Sequence, residues 1–377
     1  VNAIQNNGKL KFSKLQTKYF AALFLVLLLA IAAFNTYVNS NSANQPITAP
    51  STTNVSSVLT FTSTLTIPPV SNFTQTSNTT AYSDRFIVNH VMVILLENEN
   101  ESYIIGNKNA PYINKMLIPN YSIAEKYYAL GHPSLPNYIA ITSGSTFGIK
   151  TNDYFTELLQ YTNIVDLFSE HNITWKAYME SMPIGRRGSC NTELGNAGGT
   201  YGYFTKHNPF VYYSDIMNNL TRCSQIVPLK YFSIDLANNQ LPEFSFITPN
   251  ILDDGHTSPP NNATCPPSGT ALQCADNWLH GFLPKVINSS AFNNTIVFIT
   301  WDESLVPSTQ ISNTIPSNNV LLIAVSPDSK KGFAENTTFY SHYSLLATIE
   351  EIYGLGNLGR NDTTANVLNN LFVNNTI

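Results

Sequence analysis

Between Gly131 and Gly144 the chain reads GHPSLPNYIAITSG. Pro133 and Pro136 stiffen the backbone on either side of Ser134, and Pro136 suits the first turn of a helix running through Asn137 to Ile141. This spacing predicts Ser134 just ahead of a helix N-terminus, where unpaired N–H groups and the positive dipole end favour an anion and stabilise an alkoxide. A hydroxyl in that position is ordinarily only an N-cap, so a nucleophile reading depends on what else converges there. Three apolar runs each deliver acids at or just past their ends: VMVILLEN carries Glu97 and Asn98, FSFITPNILDDGH carries Asp254 and His256, and TIVFITWDES carries Asp302 and Glu303. His342 follows in FYSHYS. Carboxylates and imidazoles hold divalent cations. One or two such ions, about 4 Å apart when paired, activate an oxygen nucleophile and hold the attacking and leaving oxygens of a phosphoryl transfer in line. Lysines and arginines are few near these motifs, so protein cations are not the expected main stabiliser. His207, in KHNPFVYY, reads as an ordinary loop histidine and receives no role.

Elements must bring these groups to one place. Phe86 to Leu96, Leu241 to Pro249, Thr295 to Trp301 and Asn319 to Pro327 have the length and β-branched content of buried strands, and ITWKAYMES reads as another. Thr162 to His171 shows amphipathic helical spacing with Asn163 or Thr162 as cap, Trp278 to Ile287 looks helical, and Ser344 to Tyr353 reads as a last helix closing at Gly354. Strands alternating with helices predict an α/β fold, a three-layer sandwich around a mostly parallel central sheet. Parallel strands bring their C-terminal ends, and the acids there, to one edge. Arg186 to Tyr213 reads as a long Gly-rich loop crossing near that edge.

The chain has 377 residues, 43% hydrophobic and 12% aromatic, enough for one large core. Only 11% of residues are charged and the formal net charge is −5, with no basic cluster in the body, which excludes nucleic acid as a partner. Lys9, Lys11, Lys14 and Lys18 precede an apolar segment from Tyr19 to Phe34, so residues 1–18 read as a cytoplasmic basic tail and 19–38 as a signal anchor or signal peptide. Residues 39–84, rich in Ser, Thr, Asn and Pro, read as a stalk, and 85–377 as the catalytic domain. The expected location is the cell surface, anchored by that segment, or the outside if it is cleaved. Glycosylation sequons at Asn54, Asn72, Asn78, Asn100, Asn120, Asn172, Asn219, Asn262, Asn288, Asn293, Asn336, Asn361 and Asn374 agree with export. So do four cysteines, for which chain order favours Cys190 with Cys223 and Cys265 with Cys274 over a zinc site.

VMVILLEN, GHPSLPNYIAITSG, the Asp-x-His loop, TWDE and SHYSLLATIEEIYGLG, in this order, resemble the phosphoesterase family of bacterial acid phosphatases and phospholipases C, over roughly Phe86 to Arg360. The resemblance implies the alkaline phosphatase superfamily and its fold. It places Ser134 as nucleophile, with Asn137 and Asn98 contacting substrate. Glu97, Asp302 and Glu303 would join Ser134 at one metal, and Asp254, His256 and His342 would form the other. Asp302–Glu303 stands where superfamily relatives have Asp-His, which leaves zinc, manganese, calcium and magnesium open, in one site or two.

The implied activity is extracytoplasmic, metal-dependent hydrolysis of phosphate esters through a phosphoserine. Phospholipase C action on phospholipid head groups and a non-catalytic surface glycoprotein on the same fold are the alternatives. The low charge content also predicts a fold that persists in acid, with activity lost earlier as protons compete for the metal-binding histidines.

Overall fold

The apolar run HVMVILL forms strand β1 (His90–Leu96), with six of its seven residues buried. In the computed structural model, which describes residues 87–155, 157–182, 202–257, 265, 269–305 and 317–373, eight more strands join it. These are β2 (Ser122–Tyr128), β3 (Trp175–Met179), β4 (Ile226–Pro228), β5 (Phe244–Thr248), β6 (Thr295–Trp301), β7 (Asn319–Val325), β8 (Ala334–Glu335) and β9 (Tyr340–Ser341). The sheet order is β4-β3-β5-β1-β6-β7-β2-β8, with β9 also on β2. Pairs β4–β3, β3–β5, β5–β1 and β1–β6 are parallel, and both β6–β7 and β7–β2 are antiparallel. Only β7 therefore runs against the rest of the order from β4 to β2. This is the expected mostly parallel α/β sheet, with Asn319–Val325 reversed because it returns to β6 from the same edge.

Every residue of β5 and of β6 is buried. Successive side chains point to opposite faces of a strand, so both faces of the sheet are covered and the architecture has three layers. The covering helices are α1 (Ser134–Ser143), α2 (Ile164–Glu170), α3 (Lys230–Ala237), α4 (Ala271–Ile287) and α5 (His342–Tyr353). Asn163 caps α2 in a capping box with Asp166. Thr270 caps α4, which starts seven residues before the Trp278 read from the sequence. Apolar spacing is blurred there by Cys274, Asp276 and Asn277. Helix α5 closes at Gly354 in the left-handed region, as expected. All ten residues of α1 are buried, so it is a core helix. At its C-terminal end Gly144 has φ +73°, and a Cβ there would lie 2.3 Å from Asp362 Oδ1, which only glycine avoids.

Cys265 is disulfide-bonded to Cys274, tying the loop before α4 to its first turn. Cys223 is disulfide-bonded too, and Cys190 lies outside the described residues. Residues 1–18, 19–38 and the stalk to 84 lie outside them as well. No helix among the described residues is long and apolar enough to cross a membrane. Of the sequon asparagines, Asn120, Asn172, Asn219, Asn288, Asn293, Asn336 and Asn361 are exposed and Asn100 is half-buried. Asn54, Asn72, Asn78, Asn262 and Asn374 fall outside the described residues.

Three acids in the frame give the fold a pH dependence, and the first is Glu99 just past β1, which burial alone pushes up to about 8. Burial pushes Glu180, at the exit of β3, up to about 7, even though it accepts hydrogen bonds from Asn250 N and Trp278 Nε1. Burial and the neighbouring Asp362 charge push Glu350 on α5 up to about 8. In the unfolded chain all three lose their protons near the ordinary glutamate value of about 4.3. Their stabilisation is complete below that value and is lost as pH rises through 7 to 8. Buried His342, held at about 4 by burial, works in the opposite sense only below the ordinary histidine value of about 6.5. The melting temperature should therefore fall by several degrees between about pH 6.5 and 8.5. Glu99→Gln, Glu180→Gln and Glu350→Gln together should flatten that decline, and a wild-type melting temperature rising over this interval would contradict the assignment.

Candidate active site

The parallel strands end on one edge, and the sequence places an acid just past several of those ends. Glu97 follows β1 and Asp302 follows β6, strands paired in register up to Leu96 opposite Trp301. Asp302 N donates to Leu96 O at 2.9 Å, so the pairing continues into the site itself. The β5 exit loop reaches the same place because Gly255 turns at φ +102°. A Cβ there would sit 2.9 Å from Glu97 O. This close approach lets Glu97 N donate to Asp254 O at 2.9 Å. Glu97, Asp254 and Asp302 are wholly buried and Glu303 is 3% exposed.

Ser134 is the first residue of α1, with Pro133 as its N-cap. It is 1% exposed, so it is a buried group rather than one on a surface turn. Its Oγ donates towards Glu97 Oε2 at 3.1 Å and Glu303 Oε1 at 3.3 Å. The free amides expected at this helix start are fewer than supposed: Leu135 N is taken by Asn152 Oδ1, and Pro136 has none. Tyr138, one turn along α1, donates to Glu97 Oε1 at 2.6 Å.

His207 is the ligand candidate that the sequence reading passed over. It ends a short helical turn, Thr205–His207, and its ring stacks on Tyr138 with centroids 5.3 Å apart. Nε2 lies 3.0 Å from Glu97 Oε1 and Nδ1 lies 3.5 Å from Asp254 Oδ2. Among the described residues Glu97, His207 and Asp254 form a buried trio whose ligand atoms all lie within 4.8 Å of one another. Only their separation in sequence concealed it: Glu97 and His207 are 110 positions apart. His132, two residues before Ser134, was likewise unassigned, yet its Nδ1 lies 2.5 Å from Glu303 Oε2.

Several expected roles change. His342 is buried but both ring nitrogens are engaged, Nδ1 with Tyr127 OH at 2.9 Å and Nε2 with Asp302 O at 2.7 Å. It braces Asp302 through the backbone instead of presenting a free ligand atom. His256 is exposed, with Nδ1 on Thr257 Oγ1, and what it contributes to Asp254 is its backbone N–H, 2.8 Å from Oδ1. The second ligand set of Asp254, His256 and His342 is thus not assembled, and His207 stands beside Asp254 in their place. Asn137 spends its amide on the turn that carries Ser134: Oδ1 accepts from Leu130 N and Gly131 N, and Nδ2 donates to Gly131 O and Pro133 O. Asn98 sits at φ 47°, a left-handed position that asparagine tolerates. There its N–H donates to Asp302 Oδ1 and its Nδ2 to Glu303 Oε1, while its Oδ1 has no partner.

Four buried carboxylates are costly without compensating positive charge. Burial pushes Asp254 and Asp302 well above the usual carboxylate range, and the Glu97 charge adds to it. Burial opposes the charged forms of both Glu97 and His207: their contact, with Lys206 and His256, holds Glu97 below the usual carboxylate range, while burial keeps His207 below the ordinary histidine value. Asp302 Oδ2 and Asp254 Oδ2 are buried without hydrogen-bond partners. Orphaned carboxylate oxygens around an imidazole are the donor set a divalent cation needs, so these residues fit the metal that the sequence implied. His207→Ala should lower the metal content of purified protein and raise the metal concentration for half-occupancy at least about tenfold. His256→Ala should change both much less; the reverse ranking, read by elemental analysis and metal titration, would restore His256 as the ligand.

An acid phosphatase of Aspergillus fumigatus is 35% identical over 287 residues, 74% of this chain and 58% of that protein. A probable acid phosphatase of Kluyveromyces lactis is 34% identical over 279 residues, 73% and 61% of the two chains. A phosphatidylinositol-3-phosphatase of Mycobacterium tuberculosis is 31% identical over 270 residues, 72% of this chain and 78% of that one. The chain spans about three fifths of the length of these two fungal relatives. A solved alkaline phosphatase superfamily protein from Vibrio parahaemolyticus overlaps 76% of this chain and 72% of its own, at 14% identity and TM-score 0.48. The Phosphoesterase family model matches residues 106–356, which hold the Ser134 turn, His207, the Asp254 loop and the β6 exit, and this chain belongs to that family.

Proposed function

We propose that this chain is a metal-dependent phosphoric ester hydrolase that acts outside the cytoplasm through a phosphoserine at Ser134. The observation that carries the reading is the Ser134 hydroxyl, hydrogen-bonded to two carboxylates beside orphaned acid oxygens and an imidazole. Glu97, Asp254 and His207, with Asp302 and Glu303 beside them, would hold a divalent cation that stabilises the serine alkoxide and polarises the phosphoryl oxygens.

In the first half-reaction Ser134 Oγ attacks phosphorus and its proton passes to Glu303, to which the hydroxyl already donates. The bond from phosphorus to the ester oxygen breaks, and that oxygen leaves with the electron pair and takes a proton to become the alcohol. Water then attacks the phosphoserine on phosphorus, the bond from Ser134 Oγ to phosphorus breaks, and orthophosphate leaves as the serine regains its proton. Asn98 and His342 fix the β6 exit during both steps, and Asn137 keeps the nucleophile turn closed. The fungal relatives named acid phosphatases support the reaction class.

Location belongs to the same proposal. The apolar segment from Tyr19 to Phe34 behind four lysines, read as an anchor, the exposed sequons and the Cys265–Cys274 disulfide support a protein held at the cell surface. A second reading, a lipid-borne phosphate monoester as substrate, is favoured by the Mycobacterium tuberculosis relative named for such a lipid.

Purified protein should hydrolyse an aryl phosphate, lose that activity to a chelator and regain it with divalent metal. Ser134→Ala should lower kcat by about a thousandfold or more at nearly unchanged melting temperature, and acid quench of wild type during turnover should leave phosphate on Ser134 by mass spectrometry. A Ser134→Ala protein retaining a tenth of wild-type kcat would remove the serine from the nucleophile role.

A further inference from the structure

Lys206 departs from the expectation that no protein cation serves this site. It stands in the turn Thr205–His207, half-buried, with Nζ 3.4 Å from Ser134 Oγ. Among the described residues it forms no ion pair, although buried carboxylates surround the hydroxyl it faces. Its neighbour His207 takes the contacts to Glu97 and Asp254, which leaves the ammonium directed at the nucleophile. No other lysine or arginine among the described residues touches Ser134 or the four carboxylates. Burial works against the charged forms of Glu97, Asp254 and Asp302, and the Lys206 charge is among those that draw all three back down, so it acts on the same space.

A phosphoryl group attacked by Ser134 must bring phosphorus within about 3–3.5 Å of Oγ. Its non-bridging oxygens then come within reach of an ammonium that is itself 3.4 Å from Oγ. A phosphate monoester is largely a dianion near neutral pH, whereas a diester carries a single charge with no second anionic oxygen to pair. Charge-assisted hydrogen bonds to such oxygens are the strong ones, more so where water is excluded. We infer that Lys206 binds the second anionic oxygen of a phosphate monoester and is the residue that sets a preference for monoesters over diesters. This rests on the hydrolase reading above and deepens it, since it favours a phosphatase over a diester-cleaving phospholipase at the same serine. Lys206 would touch substrate, so it counts as a catalytic residue, and no step of the proton bookkeeping passes through it.

The test compares wild type, Lys206→Ala and Lys206→Arg, each loaded with metal and checked for metal content and melting temperature. Lys206→Ala should lower kcat/KM for para-nitrophenyl phosphate by about 30- to 100-fold and for bis(para-nitrophenyl) phosphate by less than about fivefold. The inhibition constant of orthophosphate should rise about tenfold or more while that of dimethyl phosphate stays within about twofold, and Lys206→Arg should recover part of the monoester loss. Equal losses on monoester and diester, or an unchanged orthophosphate constant, would overturn the inference while leaving the hydrolase reading intact. A wild-type protein inactive on both esters would instead sink that reading, and calorimetric binding of orthophosphate to wild type and Lys206→Ala would still decide whether Lys206 holds the anion.

Discussion

Negative charge gathered in a dry place is the constraint on which this structure depends. Glu97, Asp254, Asp302 and Glu303 are brought together at the end of a sheet whose central strands are buried on both faces. Carboxylates so placed repel one another and lack water, and folding tolerates them only if positive charge and hydrogen-bond donors are supplied in fixed positions. The surroundings of the site are largely that supply: His207 between Glu97 and Asp254, His132 on Glu303, backbone N–H groups of Asn98 and Glu303 on Asp302, and Lys206 beside the serine. What they leave unsatisfied has the shape of a cation's ligand set.

Most of the supporting residues act on the backbone. Gly255 permits the approach of the β5 exit loop to Glu97. Asn98 takes a left-handed turn that aims its own N–H at Asp302. Asn137 ties four backbone groups of the 130–133 segment, and His342 holds Asp302 by its carbonyl. Such residues look in sequence like substrate contacts or ligands, because Asn and His are types that do both. In this structure they fix backbone positions around the buried carboxylates and the Ser134 hydroxyl.

The peripheral α4 face also reaches the site. Glu180 at the β3 exit accepts from both Trp278 of α4 and Asn250, and Asn250 in turn accepts from the N–H groups of Asp253 and Asp254. An element two strands away from β1 in the sheet is therefore mechanically continuous with the loop carrying Asp254. That continuity places a half-buried acid, rather than an apolar side chain, under the loop carrying Asp254.

The strands were legible in the sequence because buried parallel strands must be continuous apolar runs; Thr295–Trp301 appears with the bounds read from the chain. The acids at their exits were legible for the same reason, since parallel ends share one edge, and so was Ser134 between two prolines at a helix start. What the sequence by itself determined was thus the α/β frame, the edge and the helix start at Ser134. Which imidazole faces the carboxylates was decided only in three dimensions. His256 lies two residues from Asp254 yet is exposed, while His207 arrives from a turn 47 positions earlier and stacks into place on Tyr138. The direction of a loop side chain has no periodicity to read; it is set by what packs against it, and for His207 and Lys206 that is the buried helix bearing Ser134.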